Sequence, residues 1–388
     1  MKAQQRTVRA ASAVAAIGGL VLLASCSATL ETETETETAD VAASGVLTDI
    51  CPADVVIQAD WEPESEHGGI YELVGDDYVI DADSKSVTGT LMDGDEETGV
   101  NVEIRIGGSP VGYQPVQSLL YQDDDILMGY GRVTETIPAA DTNAVVGIMS
   151  TLEASPYSIY WDPATYPDVE SVADLKDYDV TILMGSDATV WQDYLLGTGV
   201  IEASQIDQSD APKPATFIAA DGADAEAGFA SAEPYLYEVE ATEWGKPVEI
   251  GLIHDLGFPE YFQSMIVRSA DVTEQAECLT ELVPILQRAE VAYIEDPAAT
   301  NELIVELVEE YDTGWIYTAD QAEWSIEKQK ELGLVGNNAE GVLGGYDIER
   351  VQELIDLVGE YTDYDVSEIT PDTLVTNQFI DTSIGLQG

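Results

Sequence analysis

From Pro52 onward, short runs rich in Val, Ile, Tyr and Trp alternate with segments whose apolar residues recur every three or four positions. A chain with that rhythm covers its strands with helices, so it folds as α/β layers. Val55–Ala59, Val100–Ile106, Ile126–Tyr130, Val145–Ser150, Ser158–Trp161 and Val180–Met184 read as strands, and Tyr78–Leu91 reads as an inserted hairpin. Gly112–Gln122, Val172–Leu175 and Thr189–Leu196 read as helices. Further on, Ala215–Ala219, Ala232–Tyr237, Val248–Ile253 and Gln263–Val267 read as strands and Ala225–Ala230 as a helix. The last third is helical, with 273–296, 298–311, 319–332 and 348–358 all carrying the helical period.

Charge excludes whole classes of function. The 388 residues include 75 acids and 14 cations, a formal charge of −61. So few Lys and Arg cannot build the basic surface that nucleic acid requires. An anionic membrane surface repels such a chain, so membrane attachment has to come from an anchor. The chain is nevertheless 45% hydrophobic with 19 Tyr and 6 Trp, enough to bury a core. Most of the acidity reads as solvated surface.

Residues 1–25 carry Lys2, Arg6 and Arg9, no acid, and an apolar run from Ala10 to Ala24 that is too short for a stable membrane span. They read as an export signal. Leu23-Ala24-Ser25-Cys26 resembles the bacterial lipobox, which implies acylation of Cys26 and an extracytoplasmic, lipid-anchored protein. The alternating Glu-Thr run Glu31–Thr38 has no apolar face, so residues 26–50 are expected to form a disordered acidic tether. Outside the cytoplasm the two remaining cysteines are expected to pair, Cys51 with Cys278.

Four further stretches carry a family resemblance. Asp60-Trp61-Glu62-Pro63-Glu64-Ser65-Glu66-His67-Gly68-Gly69-Ile70-Tyr71 resembles the Trp-x-Pro-x-x-x-His-x-Gly-x-Tyr segment of substrate-binding proteins of thiamine-pyrimidine ABC transporters. Ser171–Lys176, followed by the strand to Gly185-Ser186, is similar to the crossover into the second lobe of the nitrate, sulfonate and taurine binding family. Gly222–Ala225 with Ala232–Tyr235, and Ile294–Ala299, resemble later segments of that family. The resemblance implies a two-lobe type 2 periplasmic-binding-protein fold with a hinge, an interlobe cleft and a helical C-terminal part. On that template lobe 1 takes 52–150 and 248–345, lobe 2 takes 151–247, and 346–388 packs as a C-terminal helix and tail on lobe 1. The family's short turn after Tyr71 is replaced by the longer segment 73–99.

Within that frame, ten residues are expected to contact ligand. Trp61, Tyr71, Trp191 and Tyr235 offer stacking faces for a flat solute, and His67 and His254, the only histidines, offer hydrogen bonds. Glu233 offers a carboxylate beside Pro234. Gly108 and Ser109, in a Gly-Gly-Ser-Pro turn taken to open a helix, and Ser186 offer polar groups at the strand ends. The acidic runs 93–97 and 123–125 lack EF-hand spacing and read as solvated loops, so no metal and no cofactor is expected.

The resulting expectation is a monomeric solute-binding protein that delivers a small molecule to an ABC permease and its ATPase. An anionic solute usually needs an Arg clamp, for which Arg105, Arg132 and Arg268 are the candidates near strands. The scarcity of cations therefore favours a neutral or cationic aromatic or amino-bearing solute, pyrimidine-like on the family resemblance, over a nitrate, sulfonate or taurine-type anion. The alternatives are an enzyme related to pyrimidine synthase, disfavoured by the lack of a cysteine-rich stretch or a hydrolase motif, and a ligand sensor that transports nothing.

Overall fold

The computed structural model describes residues 45–140, 142–185, 189–209 and 212–387. The expected export signal, the acylated Cys26 and the tether as far as residue 44, with its Glu-Thr run, lie outside the described residues, as does Ser186. Residues 45–50, expected as the end of the disordered tether, instead form a turn that buries Leu47 in the core, its N–H bonded to Thr98 O at 3.0 Å. No helix among the described residues is long and apolar enough to cross a membrane.

The chain begins with β1 (Asp54–Gln58), a short helical turn and α1 (Gly68–Tyr71), then β2 (Val79–Asp81), β3 (Ser86–Asp93) and β4 (Glu96–Arg105). Next come α2 (Val116–Leu120), β5 (Ile126–Gly131), α3 (Val133–Ala139), β6 (Val145–Ser150) and β7 (Tyr157–Trp161). They are followed by β8 (Ile182–Leu183), α4 (Thr189–Thr198), β9 (Ile206–Asp207), α5 (Pro214–Ala219), β10 (Ala225–Phe229) and α6 (Glu233–Tyr235). The last strands are β11 (Glu249–Leu252) and β12 (Ser264–Arg268), and the chain ends in α7 (Asp271–Glu274), α8 (Ala276–Glu295), α9 (Ala298–Tyr311), α10 (Ala319–Glu331), α11 (Ile348–Tyr361) and α12 (Pro371–Leu374).

Two sheets result, in the orders β2-β3-β4-β1-β5-β12-β6 and β11-β7-β10-β8-β9. Each contains three adjacent parallel strands, β4-β1-β5 in one and β9-β8-β10 in the other. In each, one antiparallel strand follows, β12 or β7, and then an edge strand, β6 or β11. Strands buried on both faces read as unbroken apolar runs, which is what the central β5, Ile126–Gly131, and the covered edge strand β6, Val145–Ser150, are. The chain passes between the sheets twice, through residues 151–156 and 253–263. Backbone bonds tie the two passages together at both ends, Thr151 N–H to Gln263 O at 2.9 Å and Ile253 N–H to Tyr157 O at 2.9 Å.

The insertion 73–99 supplies β2 and β3 to the outer edge of the first sheet. Arg288 of α8 clamps Asp93 there with two bonds of 2.7 Å, and Tyr78 donates to Glu306 of α9 at 2.6 Å. Cys51 and Cys278 form the expected disulfide, closing a sequence separation of 227.

Three segments exchange type relative to the sequence reading. Pro214 and Pro234 sit in the first turns of α5 and α6, where a missing N–H costs nothing, so 215–219 and 232–237 are helical. Residues 225–229, small enough to read as helix, instead form β10 between β7 and β8. The turn 107–110 opens a single helical turn, Ser109–Val111, and α2 starts only at Val116. The expected return to the first sheet at 248 shifts as well, because β11 pairs with β7 in the second sheet.

The C-terminal part packs on both sheets' helices and not on lobe 1 alone. Tyr361 of α11 meets Tyr194 of α4 edge-on at 5.4 Å, and Val375 bridges to Gly147 of β6. Arg350 braces the crossing. It donates to Pro259 O and Glu260 O at 3.0 and 3.1 Å, pairs with Glu153 at 3.0 Å and lies 3.8 Å over the Tyr261 ring. Glu153 is in one passage and the other partners are in the second, so one guanidinium holds both. Arg350→Met is expected to lower stability by about 2 kcal/mol, less than a fully buried pair because Glu153 keeps some solvent contact. Urea denaturation measures it, and a loss under 0.5 kcal/mol would show that the brace is dispensable.

Candidate functional site

A cavity of about 150 Å³ lies where the second passage, α3, the first residue of β7 and the start of α4 meet. That is about ten times the volume that admits one water, so it has room for a small organic molecule. Arg132, Thr134, Glu135 and Pro138 line it from the end of β5 and from α3, Tyr157 from the first residue of β7, and Val190 and Trp191 from α4. Glu260 lines it from the second passage and Tyr364 from the segment after α11. Elements belonging to both sheets therefore contribute walls: Arg132 directly after β5, with α3, from the first, and Tyr157 of β7, with α4, from the second.

Arg132 dominates the electrostatics. Its guanidinium lies 5.3 Å from the Tyr157 ring centre and 4.8 Å from that of Phe262, and Nη1 is 3.2 Å from Glu135. Burial works against its charge, but Tyr157, Glu135 and Glu260 outweigh burial and keep it protonated. Glu260 is 2% exposed and accepts a hydrogen bond from Thr134 Oγ1. Burial pushes its carboxyl up to about 7, against the lowering effects of Thr134 and Arg132. The indole N–H of Trp191 is buried without an acceptor among the described residues, and the ring packs 5.6 Å from Tyr157. The site thus combines a fixed cation, two carboxyl groups, an uncommitted donor and aromatic walls.

Of the residues singled out from sequence, Trp191 lines this cavity. His67 and Tyr71 do not. His67 is fully buried, bonded to Asp60 at 2.9 Å and stacked on Tyr130 at 5.4 Å, and Tyr71 is 1% exposed. The His-Gly-Gly sequence is explained by packing: a Cβ on Gly68 would stand 2.1 Å from the Tyr293 ring and one on Gly69 1.9 Å from Glu290 Oε2. Gly68→Ala is therefore expected to cost about 1–3 kcal/mol by overpacking. An unchanged thermal midpoint would contradict that packing.

Trp61 sits outside the cavity in an aromatic cluster, 5.8 Å from Tyr113 and 6.2 Å from Trp315. Gly108, with φ of 67°, lies under the Trp61 ring, and Ser109 faces the Glu62 carboxylate at 3.4 Å, which disfavours an anion at that turn. Glu233 accepts from the Phe229 N–H at 2.5 Å and is pushed up to about 8 by burial, and Tyr235 packs against Trp324 at 5.6 Å. His254 lies in the second passage, where burial and then Arg350 lower its pKa. None of these six lines the cavity.

Arg105 and Arg268 are committed elsewhere, to Glu103 and Asp123 and to Asp271. Arg132 alone of the three candidate arginines reaches the site. Thr134, Glu135, Glu260 and Tyr364 carried no sequence signal beyond Arg132 itself, which follows a strand ending in Gly-Tyr-Gly. Among the described residues no group of three or more His, Cys, Asp or Glu is arranged to hold a metal ion.

No family model matches the chain, and no curated protein matches it. Solved structures do. A protein of Bordetella bronchiseptica superposes with a TM-score of 0.53 at 14% identity, over 84% of this chain and 96% of its own. The ligand-binding component of an ABC-type import system of Staphylococcus aureus, solved with zinc bound, gives 0.51 at 10%, over 84% and 97%. The periplasmic aliphatic sulphonate binding protein of Escherichia coli gives 0.51 at 12%, over 87% and 95%. With the strand orders above, the chain has the two-lobe type 2 periplasmic-binding-protein fold, with the cavity in its interlobe cleft.

Proposed function

We propose that the protein is an extracytoplasmic solute-binding protein, tethered to the membrane by lipid on Cys26, that captures a small amino-bearing solute and hands it to an ABC permease and its ATPase. The observation that carries this reading is the cavity walled by both sheets, with Trp191 on one side and Arg132, Glu135 and Glu260 on the other. A solute touching both walls stabilises the closed arrangement over an open one by its differential affinity for the two. The carboxyl groups supply acceptors for an amino group, and the aromatic walls supply apolar contact. No bond is made or broken, and the protein acts as a monomer. The pyrimidine-like class finds less support, because His67 and Tyr71 belong to the core.

Thermal denaturation of the purified full chain with a panel of small metabolites tests this. A cognate solute at about 100 times its Kd stabilises the fold by about 2.7 kcal/mol, and Trp191→Ala abolishes that shift. A panel without any stabilising member, or a shift that survives Trp191→Ala, would count against the cleft.

A further inference from the structure

We propose that the solute of this cavity is a zwitterion, its oxyanion held by Arg132 and the Trp191 indole N–H and its ammonium group by Glu135 and Glu260. This rests on the cavity being the solute site.

Donors and acceptors of opposite charge line one small space. The Arg132 guanidinium carries five N–H groups, of which one nitrogen is paired with Glu135, and the rings of Tyr157 and Phe262 fix its plane. Trp191 is 3% exposed and its N–H has no acceptor among the described residues. A buried donor without an acceptor is costly, so a bound molecule that offers an oxygen there is favoured. The oxyanion of a zwitterion answers both donors at once.

Single charges fit worse. A simple anion would meet Arg132 but would stand beside Glu135 and Glu260, two carboxyl groups for one cation. A simple cation would satisfy the carboxyl groups but would be repelled by Arg132 and would leave the indole unanswered. A neutral solute would leave the Arg132–Glu135 pair as it is and gain only ordinary hydrogen bonds. A zwitterion aligned against the pair extends it into four alternating charges inside a low-dielectric space, where charge-assisted bonds are strongest. Burial holds the Glu260 carboxyl near 7, and an ammonium group beside it favours its ionised form. Carboxylates and sulfonates share this oxyanion chemistry, and the test separates them.

Titration calorimetry on the full chain, with matched triads of probes, decides the matter. Each triad is a neutral L-amino acid, its methyl amide, which lacks the oxyanion, and its N-acetyl form, which lacks the ammonium. Taurine and β-alanine form a further pair that differs in oxyanion type. The expected result is binding of at least one zwitterion with a hundredfold or greater loss for both of its capped forms. Trp191→Phe should weaken that binding about tenfold, and Arg132→Lys more strongly, with thermal midpoints near that of the parent. Equal binding of a capped form would overturn the zwitterion while leaving the cleft as a solute site. So would a singly charged or neutral molecule found by native mass spectrometry in the protein as isolated. If no probe binds and the isolated protein carries no small molecule, both the zwitterion and the solute site fall.

Discussion

Replacing Cys51 and Cys278 together by Ala is expected to lower the free energy of unfolding by about 4–5 kcal/mol. The bond closes a loop with a sequence separation of 227, and in the chain-entropy model a loop of that length restricts the unfolded chain by about 5 kcal/mol. Such a loss is a large part of the stability of an ordinary folded unit. The native state should change little, because Cys278 lies inside α8 among buried Leu279, Leu282 and Val283 and those contacts persist. Urea titration should show a lower midpoint, together with a steeper slope as the unlinked unfolded chain exposes more surface. A loss below 1 kcal/mol would show that the unfolded chain is already restricted without the bond.

The second large effect concerns Glu290, 3% exposed in α8, with Oε2 buried and unpartnered. Burial alone raises its carboxyl from 4.5 to about 8. In the folded state it stays protonated at neutral pH, whereas in the unfolded chain it ionises once the pH passes 4.5. Stability is therefore unaffected by this group below pH 4.5, falls as the pH rises from there to about 8, and stays low beyond. At ~1.4 kcal/mol per pH unit the upper figure is about 5 kcal/mol, reduced wherever the surroundings relax. Glu290→Gln, of the same shape and without the proton to lose, should raise stability at pH 8 by about 2–4 kcal/mol and leave it unchanged at pH 4. Denaturation curves across that range test this, and parallel profiles for the two proteins would contradict the assignment. Glu233 and Glu260, also raised by burial, add slopes of the same sign, so the variant profile should flatten without becoming level.

The layers were legible in sequence because buried central strands are long apolar runs and the late helices are strongly periodic. Residues 215–237 were not. There α5, β10 and α6 are short, α5 and β10 are rich in Ala, and sheet pairing with β7 and β8 decides what local preference leaves open. The site was legible only in part, for a similar reason. His67 and Tyr71 belong to a motif-like stretch, but Tyr130, Tyr293 and Glu290 close over it, and burial of that kind depends on helices more than 200 residues away. The low total of cations argued against an anionic solute, yet a count says nothing of place. Three of the five described arginines, Arg105, Arg268 and Arg288, are spent on ion pairs away from the cavity, and Arg132 lines it. Glu260 and Tyr364 join it from a passage and a tail that no local pattern connects to β5.

The most direct measurement is native mass spectrometry of the full chain purified without denaturation, compared with the Trp191→Ala protein. A cleft that takes up a small solute predicts an added mass of one small molecule on part of the parent population, released on unfolding and absent from the variant. The same bare mass for both proteins, with no added mass when the metabolite panel is supplied, would contradict the central claim.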